Sequence, residues 1–212
     1  MKQLTLEKFS EALCSGTPAP GGGSVSALVG ALAASLSGMV ANLTLGNGKY
    51  PGVQAQMADI AARADQLRKE LLEDVQRDSV AFDGCMAAYG LPRQTDAEKA
   101  ARREAIQRAL EGAATVPLCV AQKGLEILTL AKQVIQNGNK NALTDALVCV
   151  AMARASIRGA LWNVKCNIDS LPDKAAGEAM LSSCKAVAQE SRRLETEALA
   201  LAGTLANWTK ED

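Results

Sequence analysis

Between Val25 and Leu45 the chain runs for 21 residues without a charged side chain. A stretch of that length and apolarity either crosses a bilayer or is buried among other helices. Polar groups at Ser24, Ser26, Ser35, Ser37, Asn42 and Thr44 punctuate it, and neither an aromatic belt nor a positive flank accompanies it. The expectation is therefore a buried central helix in a bundle, with no membrane partner. Ser26, Gly30, Ala34 and Gly38 recur every four residues and form one ridge of small residues, along which a neighbouring helix or a second copy packs closely.

The remaining chain reads as helix between sparse Gly/Pro/Asn breaks. Breaks fall at Thr17–Gly23, Leu45–Gly52, Gly90–Asp96, Asn137–Asn141 and Leu171-Pro172, with Pro117 a further kink or helix start. The patterns between them predict helices over 4–15, 24–45, 53–89, 96–114, 117–136, 143–169 and 173–208, and no strand pattern of useful length. Leu4, Phe9 and Leu13 share a face of the first, and Thr95 with Glu98 forms a capping box for the fourth. The fold class is all-α, a bundle of long helices in a single domain over residues 1–212.

Charge and composition narrow the chemistry. The 23 basic and 23 acidic residues cancel, and aromatics are 3% of the chain. Neither the basic footprint nor the stacking platforms of a nucleic-acid binder are present, so no nucleic-acid partner is expected. There is no histidine, which removes the commonest metal ligand and the usual acid/base at neutral pH. The six cysteines, Cys14, Cys85, Cys119, Cys149, Cys166 and Cys184, form no C-x-x-C pair, so they read as buried free thiols of a reducing cytoplasm, and no metal site is expected. The charged run from Arg63 to Arg77 reads as a solvated helix face.

Ser15-Gly-Thr-Pro-Ala-Pro-Gly-Gly-Gly-Ser24 leads directly into the apolar helix. Three consecutive glycines cost chain entropy and are not required to start a helix. They let a ligand or another backbone approach closely, and the N–H groups of a helix start favour negative charge. The loop is neither a Walker A motif nor a dinucleotide fingerprint, since no Gly-Lys-Ser/Thr follows and no strand precedes.

Extended to Leu28, this stretch resembles the signature of the formiminotransferase-cyclodeaminase C-terminal family, which includes stand-alone methenyltetrahydrofolate cyclohydrolases. Further pieces follow in the family's order: Met39–Thr44, Lys49-Tyr50, Asp78–Asp83, Leu91-Pro92, Val116-Pro117, Gly138–Asp145 and Asn163–Asn167. The resemblance spans roughly residues 5–170, and Thr144 stands where the family pattern has Ser. No counterpart of a formiminotransferase half is present in the sequence, so the bifunctional form is not expected.

The resemblance implies an all-helical homodimer acting on a reduced folate at the N5–N10 bridge. One family reaction hydrolyses 5,10-methenyl- to 10-formyltetrahydrofolate; the other closes 5-formiminotetrahydrofolate to the methenyl compound and releases ammonia. Both pass through a tetrahedral carbon and need proton transfer but no metal or redox cofactor. Asp78, Asp83, Asp145 and Lys49 are the candidate catalytic groups. Pro20, Gly21, Gly22, Gly23, Ser24, Asn139, Asn141, Asn163, Lys165 and Asn167 are the candidate substrate-binding residues.

Helical geometry constrains these candidates. Asp78 and Asp83 lie about 140° apart around a helix, so only one of them faces a small pocket. Asp145 and Asn163 share a face but stand about 27 Å apart along a straight helix. They line opposite ends of an elongated site or serve two sites across a dimer. Lys140, Arg154 and Lys165 are the cations considered for the folate glutamate. The competing reading is a non-enzymatic helical interaction module, in which the glycines serve assembly alone.

Overall fold

The computed structural model describes residues 3–207, and no strand occurs among them. Seven α-helices follow in order: α1 Leu6–Cys14, α2 Gly22–Thr44, α3 Gln54–Tyr89, α4 Asp96–Asn137, α5 Leu143–Asp169, α6 Glu178–Ala202 and α7 Thr204–Asn207. α2 packs against α3, α4 and α5; α6 lies against α4 and α5. Fully buried Met57, Leu67, Leu71, Ile127, Leu128, Ile135 and Ile157 fill the space between them. Each such side chain contributes about 1.5–3 kcal/mol by leaving water. A smaller apolar cluster, including Cys85, Ile106, Leu110, Val164 and Leu171, joins the end of α3 to the start of α4 and the end of α5.

The small-residue ridge of α2 is interior. Ser156 on α5 donates to the Ser26 carbonyl at 2.7 Å. A Cβ on Gly30 would stand 2.8 Å from Ser156 Oγ and 3.4 Å from both methyls of Leu71. The opposite side of α2 is not covered: Leu32, Met39 and Leu43 are 43%, 38% and 50% exposed. Burial on every side, expected from the uninterrupted apolar run, is thus not met within one chain.

Several boundaries also differ from expectation. α4 runs unbroken through Pro117 rather than kinking or restarting there. The expected helix over 173–208 begins at Glu178 and breaks at Gly203, whose φ of +65° belongs to the left-handed region; residue 208 lies outside the described residues. α1 buries only Phe9; Leu13, and Leu4 just before the helix, stay partly exposed. The Arg63–Arg77 face is not wholly solvated, because Asp74 is completely buried. Of the cysteines, Cys85, Cys149 and Cys184 are buried as expected, but Cys14 and Cys166 are exposed; all six are free. Burial pushes the Cys149 thiol up to about 11. By length and composition α2, α4 and the Lys140–Asp169 stretch are apolar enough to cross a membrane, with 61%, 56% and 39% of their apolar windows buried in the bundle.

Gly30→Val tests the ridge. Ser156 Oγ is held by its bond to α2 and cannot yield freely, so the substitution is expected to destabilise by about 1–3 kcal/mol. Denaturant unfolding monitored by circular dichroism measures it.

Candidate active site

The glycine-rich loop closes one end of the bundle. Pro20 is buried after a cis Ala19–Pro20 peptide bond, and α2 begins at Gly22 with Gly21 as its cap. Loop, α3 and the last turns of α5 enclose a cavity of about 350 Å³. That volume lies within the range of small-molecule sites. Gly21, Gly22 and Gly23 form one wall, Asp78 and Tyr89 a second, Asn163 and Asn167 a third.

Gly23 is where backbone and carboxylate come closest. A Cβ there would sit 2.1 Å from Asp78 Oδ1 and 2.8 Å from Oδ2, so any larger residue would displace the carboxylate. Ser24, the next residue of α2, is fully buried and its hydroxyl donates to Asp78 Oδ2 at 2.8 Å. Burial pushes the Asp78 carboxyl above the ordinary carboxylate range, and the hydrogen bonds from Ser24 offset that only in part. No cation pairs with Asp78 among the described residues. The nearby cations are committed one turn earlier: Lys123 Nζ and Arg77 Nη1 lie 2.6 and 2.8 Å from the carboxylate of Asp74.

Asn163 donates to the Gly159 carbonyl at 2.8 Å, a bond to the preceding turn of its own helix. Asn167 Nδ2 donates to the Ala113 carbonyl at 2.9 Å. Ala113 stands four residues before Pro117, and proline has no N–H to offer that carbonyl. The Asn167 amide supplies the missing donor and lets α4 continue. Each asparagine keeps its side-chain carbonyl and a second N–H for other partners.

The candidates therefore divide. Pro20, Gly21, Gly22, Gly23, Ser24, Asp78, Asn163 and Asn167 gather at this end. Asp83 is exposed on α3 away from the cavity, as its helical phase requires. Lys165 is exposed and its ammonium lies 2.6 Å from Asp169 instead of facing the cavity. Lys49, Asn139, Asn141 and Asp145 lie at the far end of α2, near its last residue Thr44. There Asn139 N–H donates to Thr44 Oγ1 at 2.9 Å, and the Lys140 N–H to Tyr50 Oη at 3.1 Å. Asn139 also accepts from the Asn141 N–H. The two sets are not brought together in one chain. Lys140 and Arg154 are likewise occupied, the first by the Ile135 and Gln136 carbonyls, the second by Glu195 at 2.8 Å.

Other lining residues were not singled out from sequence: Phe82, Cys85, Met86 and Tyr89 on α3, Cys166 on α5 and Ser170 at its C-terminal cap. They follow Asp78 and Asn163 at helical spacing, so projecting each helix outward from those two anchors would have found them. Among the described residues no group of three or more His, Cys, Asp or Glu is placed to hold a metal ion.

A raised carboxyl pKa carries a stability consequence. The charged form of Asp78 is penalised in the folded chain, so the penalty is present in full above the raised folded value. It fades as pH falls toward the ordinary carboxylate value. Asp78→Asn keeps the shape and the acceptor for Ser24. It is expected to stabilise the fold at pH 7, with the gain shrinking through that acid window. Urea midpoints of both proteins from pH 7 to pH 4 check the sign.

The family model for formiminotransferase-cyclodeaminase matches residues 5–186. The chain is 41% identical over 190 residues to methenyltetrahydrofolate cyclohydrolase of Methylorubrum extorquens, covering 90% of this chain and 91% of that protein. It is 29% identical to rat formimidoyltransferase-cyclodeaminase over 95% of this chain but only 37% of the rat protein. The crystal structure of formiminotetrahydrofolate cyclodeaminase from Thermotoga maritima superposes with a TM-score of 0.87 at 26% identity, covering 96% of this chain and 98% of that one. The chain belongs to the formiminotransferase-cyclodeaminase family.

Proposed function

We propose that this chain is a methenyltetrahydrofolate cyclohydrolase, adding water to the N5–N10 bridge of 5,10-methenyltetrahydrofolate to give 10-formyltetrahydrofolate. The observation that carries the reading is Asp78: a desolvated carboxylate without a counter-ion, pressed against bare glycine backbone in a cavity of small-molecule size. The pterin lies against the Gly21–Gly23 wall, where no side chain intervenes. The side-chain carbonyls and second N–H groups of Asn163 and Asn167, left over from their bonds to Gly159 and Ala113, meet its ring donors and acceptors.

Asp78 takes a proton from water as the oxygen attacks the cationic bridge carbon, giving a neutral tetrahedral carbinolamine. It returns that proton to N5 as the N5–carbon bond breaks, and accepts the hydroxyl proton as the formyl carbonyl forms on N10. One proton leaves to solvent per turnover. A carboxyl with a raised pKa suits both directions of transfer. The likeness to formiminotetrahydrofolate cyclodeaminase favours a second reaction of the same site, closure of 5-formiminotetrahydrofolate with loss of ammonia.

The active form in this reading is a homodimer in the cytoplasm, formed by a single helical domain, with no membrane or nucleic-acid partner, no metal and no cofactor beyond the folate substrate. The open apolar face of α2, Leu32, Met39 and Leu43, supports the dimer. Antiparallel pairing of two copies along that face would make α2 central. It would also carry the Lys49, Asn139, Asn141 and Asp145 end of one copy toward the glycine loop of the other.

The methenyl compound absorbs light where the formyl and formimino compounds do not. A falling signal from methenyltetrahydrofolate is expected, and Asp78→Asn is expected to slow it by about 10²–10⁴-fold. In the wild type kcat/KM should fall on acidification through a pKa above the usual carboxylate range. A helical interaction module without enzymatic activity would leave the signal unchanged. Leu32→Glu with Met39→Glu is expected to give monomers in sedimentation velocity. If the site is shared, mixing Asp78→Asn and Asp145→Asn subunits restores part of the lost turnover.

A further inference from the structure

α5 meets the first turns of α2 at Gly159, one turn before Asn163. A Cβ at Gly159 would enter Ser26 Oγ, while Ser26 Cβ would stand 3.5 Å away, at ordinary contact distance. Glycine inside a helix costs stability relative to alanine, so α5 by itself does not ask for it. The Ser26 hydroxyl is not free to turn aside. Ser26 is buried and its hydroxyl donates to the Gly22 carbonyl at 2.7 Å. Its own carbonyl accepts from Ser156 of α5 at 2.7 Å. The Gly159 carbonyl in turn accepts from Asn163 Nδ2 at 2.8 Å. That same nitrogen lies 3.5 Å from where a Gly22 Cβ would be. Gly22, Ser26, Gly159 and Asn163 thus close a circuit of contacts between α2 and α5, and Gly22 and Asn163 belong to two walls of the cavity.

We infer that Gly159 is a positioning residue: its bare Cα against Ser26 sets how closely Asn163 stands to the glycine wall, and so how tightly the pterin is held between them. The inference rests on the proposed folate activity and deepens it. α2 is already held against α3, where Gly23 meets the Asp78 carboxylate and Ser24 bonds to it. A side chain at position 159 therefore moves α5 rather than α2, and carries Asn163 away from Gly22. Asp78 sits on α3, outside that displacement, and keeps its hydroxyl donor. The two effects separate. Substrate binding weakens, while proton transfer keeps its pH dependence.

The test is a double-mutant cycle on KM for 5,10-methenyltetrahydrofolate. It compares wild type, Gly159→Ala, Ser26→Ala and the two substitutions together. In the wild-type background Gly159→Ala is expected to raise KM about tenfold, the worth of one hydrogen bond to the substrate. The pKa on the acid limb of kcat is expected to stay where it is. In the Ser26→Ala background the added methyl meets no hydroxyl, and the same substitution is expected to change KM about twofold or less. Ser26→Cys lengthens the contact from the α2 side and is expected to raise KM in the same direction. It carries the test if circular dichroism shows Gly159→Ala unfolded. An equal effect of Gly159→Ala in both backgrounds, a shifted acid limb, or an unchanged KM in Gly159→Ala or Ser26→Cys overturns the inference while leaving the proposed activity standing. A wild type that does not turn over the methenyl compound removes the activity and this inference together.

Discussion

The contact between Gly23 and Asp78 organises this end of the molecule. The start of α2 lies so close to α3 that a single methyl group at position 23 would enter the carboxylate. That proximity excludes water from one side of Asp78, which raises its pKa. It also lets Ser24 reach the same carboxylate with its hydroxyl. The carboxylate is therefore held in one position by a neighbour that cannot itself titrate. Close approach of backbone and carboxylate, fixed orientation and weakened acidity are consequences of one helix-to-helix distance.

Asp74 and Asp78 show how one helix prepares two carboxylates differently. They are one turn apart on α3 and both withdrawn from water. Asp74 is fully buried and compensated by Lys123 from α4 and Arg77 from its own helix. A buried carboxylate so paired is a structural tie between α3 and α4, and removing one partner would strand the other. Asp78 has hydroxyl and amide donors but no cation. Without a counter-ion its proton affinity follows desolvation, which is what a group exchanging protons with a substrate requires.

The all-helical class, the capping box at Thr95 and the inability of Asp78 and Asp83 to share one small pocket were legible in the sequence because each follows from local periodicity or helical phase; which of the two aspartates faces the cavity was not. The ridge on α2 was legible as a packing surface, since Ser26, Gly30, Ala34 and Gly38 are defined by size and spacing alone. The exposed side of α2 was not. An apolar run looks the same whether one copy covers it or two, and only the position of α3 and α5 leaves Leu32, Met39 and Leu43 open. Nor was the separation of the Lys49–Asp145 end from the glycine loop within one chain fully legible. Phase along α5 showed that Asp145 and Asn163 stand far apart, but which candidates join which end depends on where α2 begins and stops. The buried state of Asp74 escaped because its partner Lys123 lies 49 positions away in sequence.

Pro117 shows most plainly why residue type alone was insufficient. A proline inside a helix removes one N–H and usually bends or ends it. Here the orphaned acceptor is the Ala113 carbonyl, and Asn167 on α5 donates to it across the helix interface. The asparagine thereby acquires two tasks at once. One N–H completes the backbone of α4, and the rest of the amide remains on the wall of the cavity. Because the bond to Ala113 pins the side chain, the remaining carbonyl and N–H are offered to the cavity in a fixed direction rather than by a freely rotating group. Leucine at 117 would restore the helical bond to Ala113, and Asn167 would lose its anchor without any residue of the cavity having changed. Val116-Pro117 and Asn163–Asn167 are separate fragments in the sequence but a single device in the fold. The proline creates the acceptor that orients the amide.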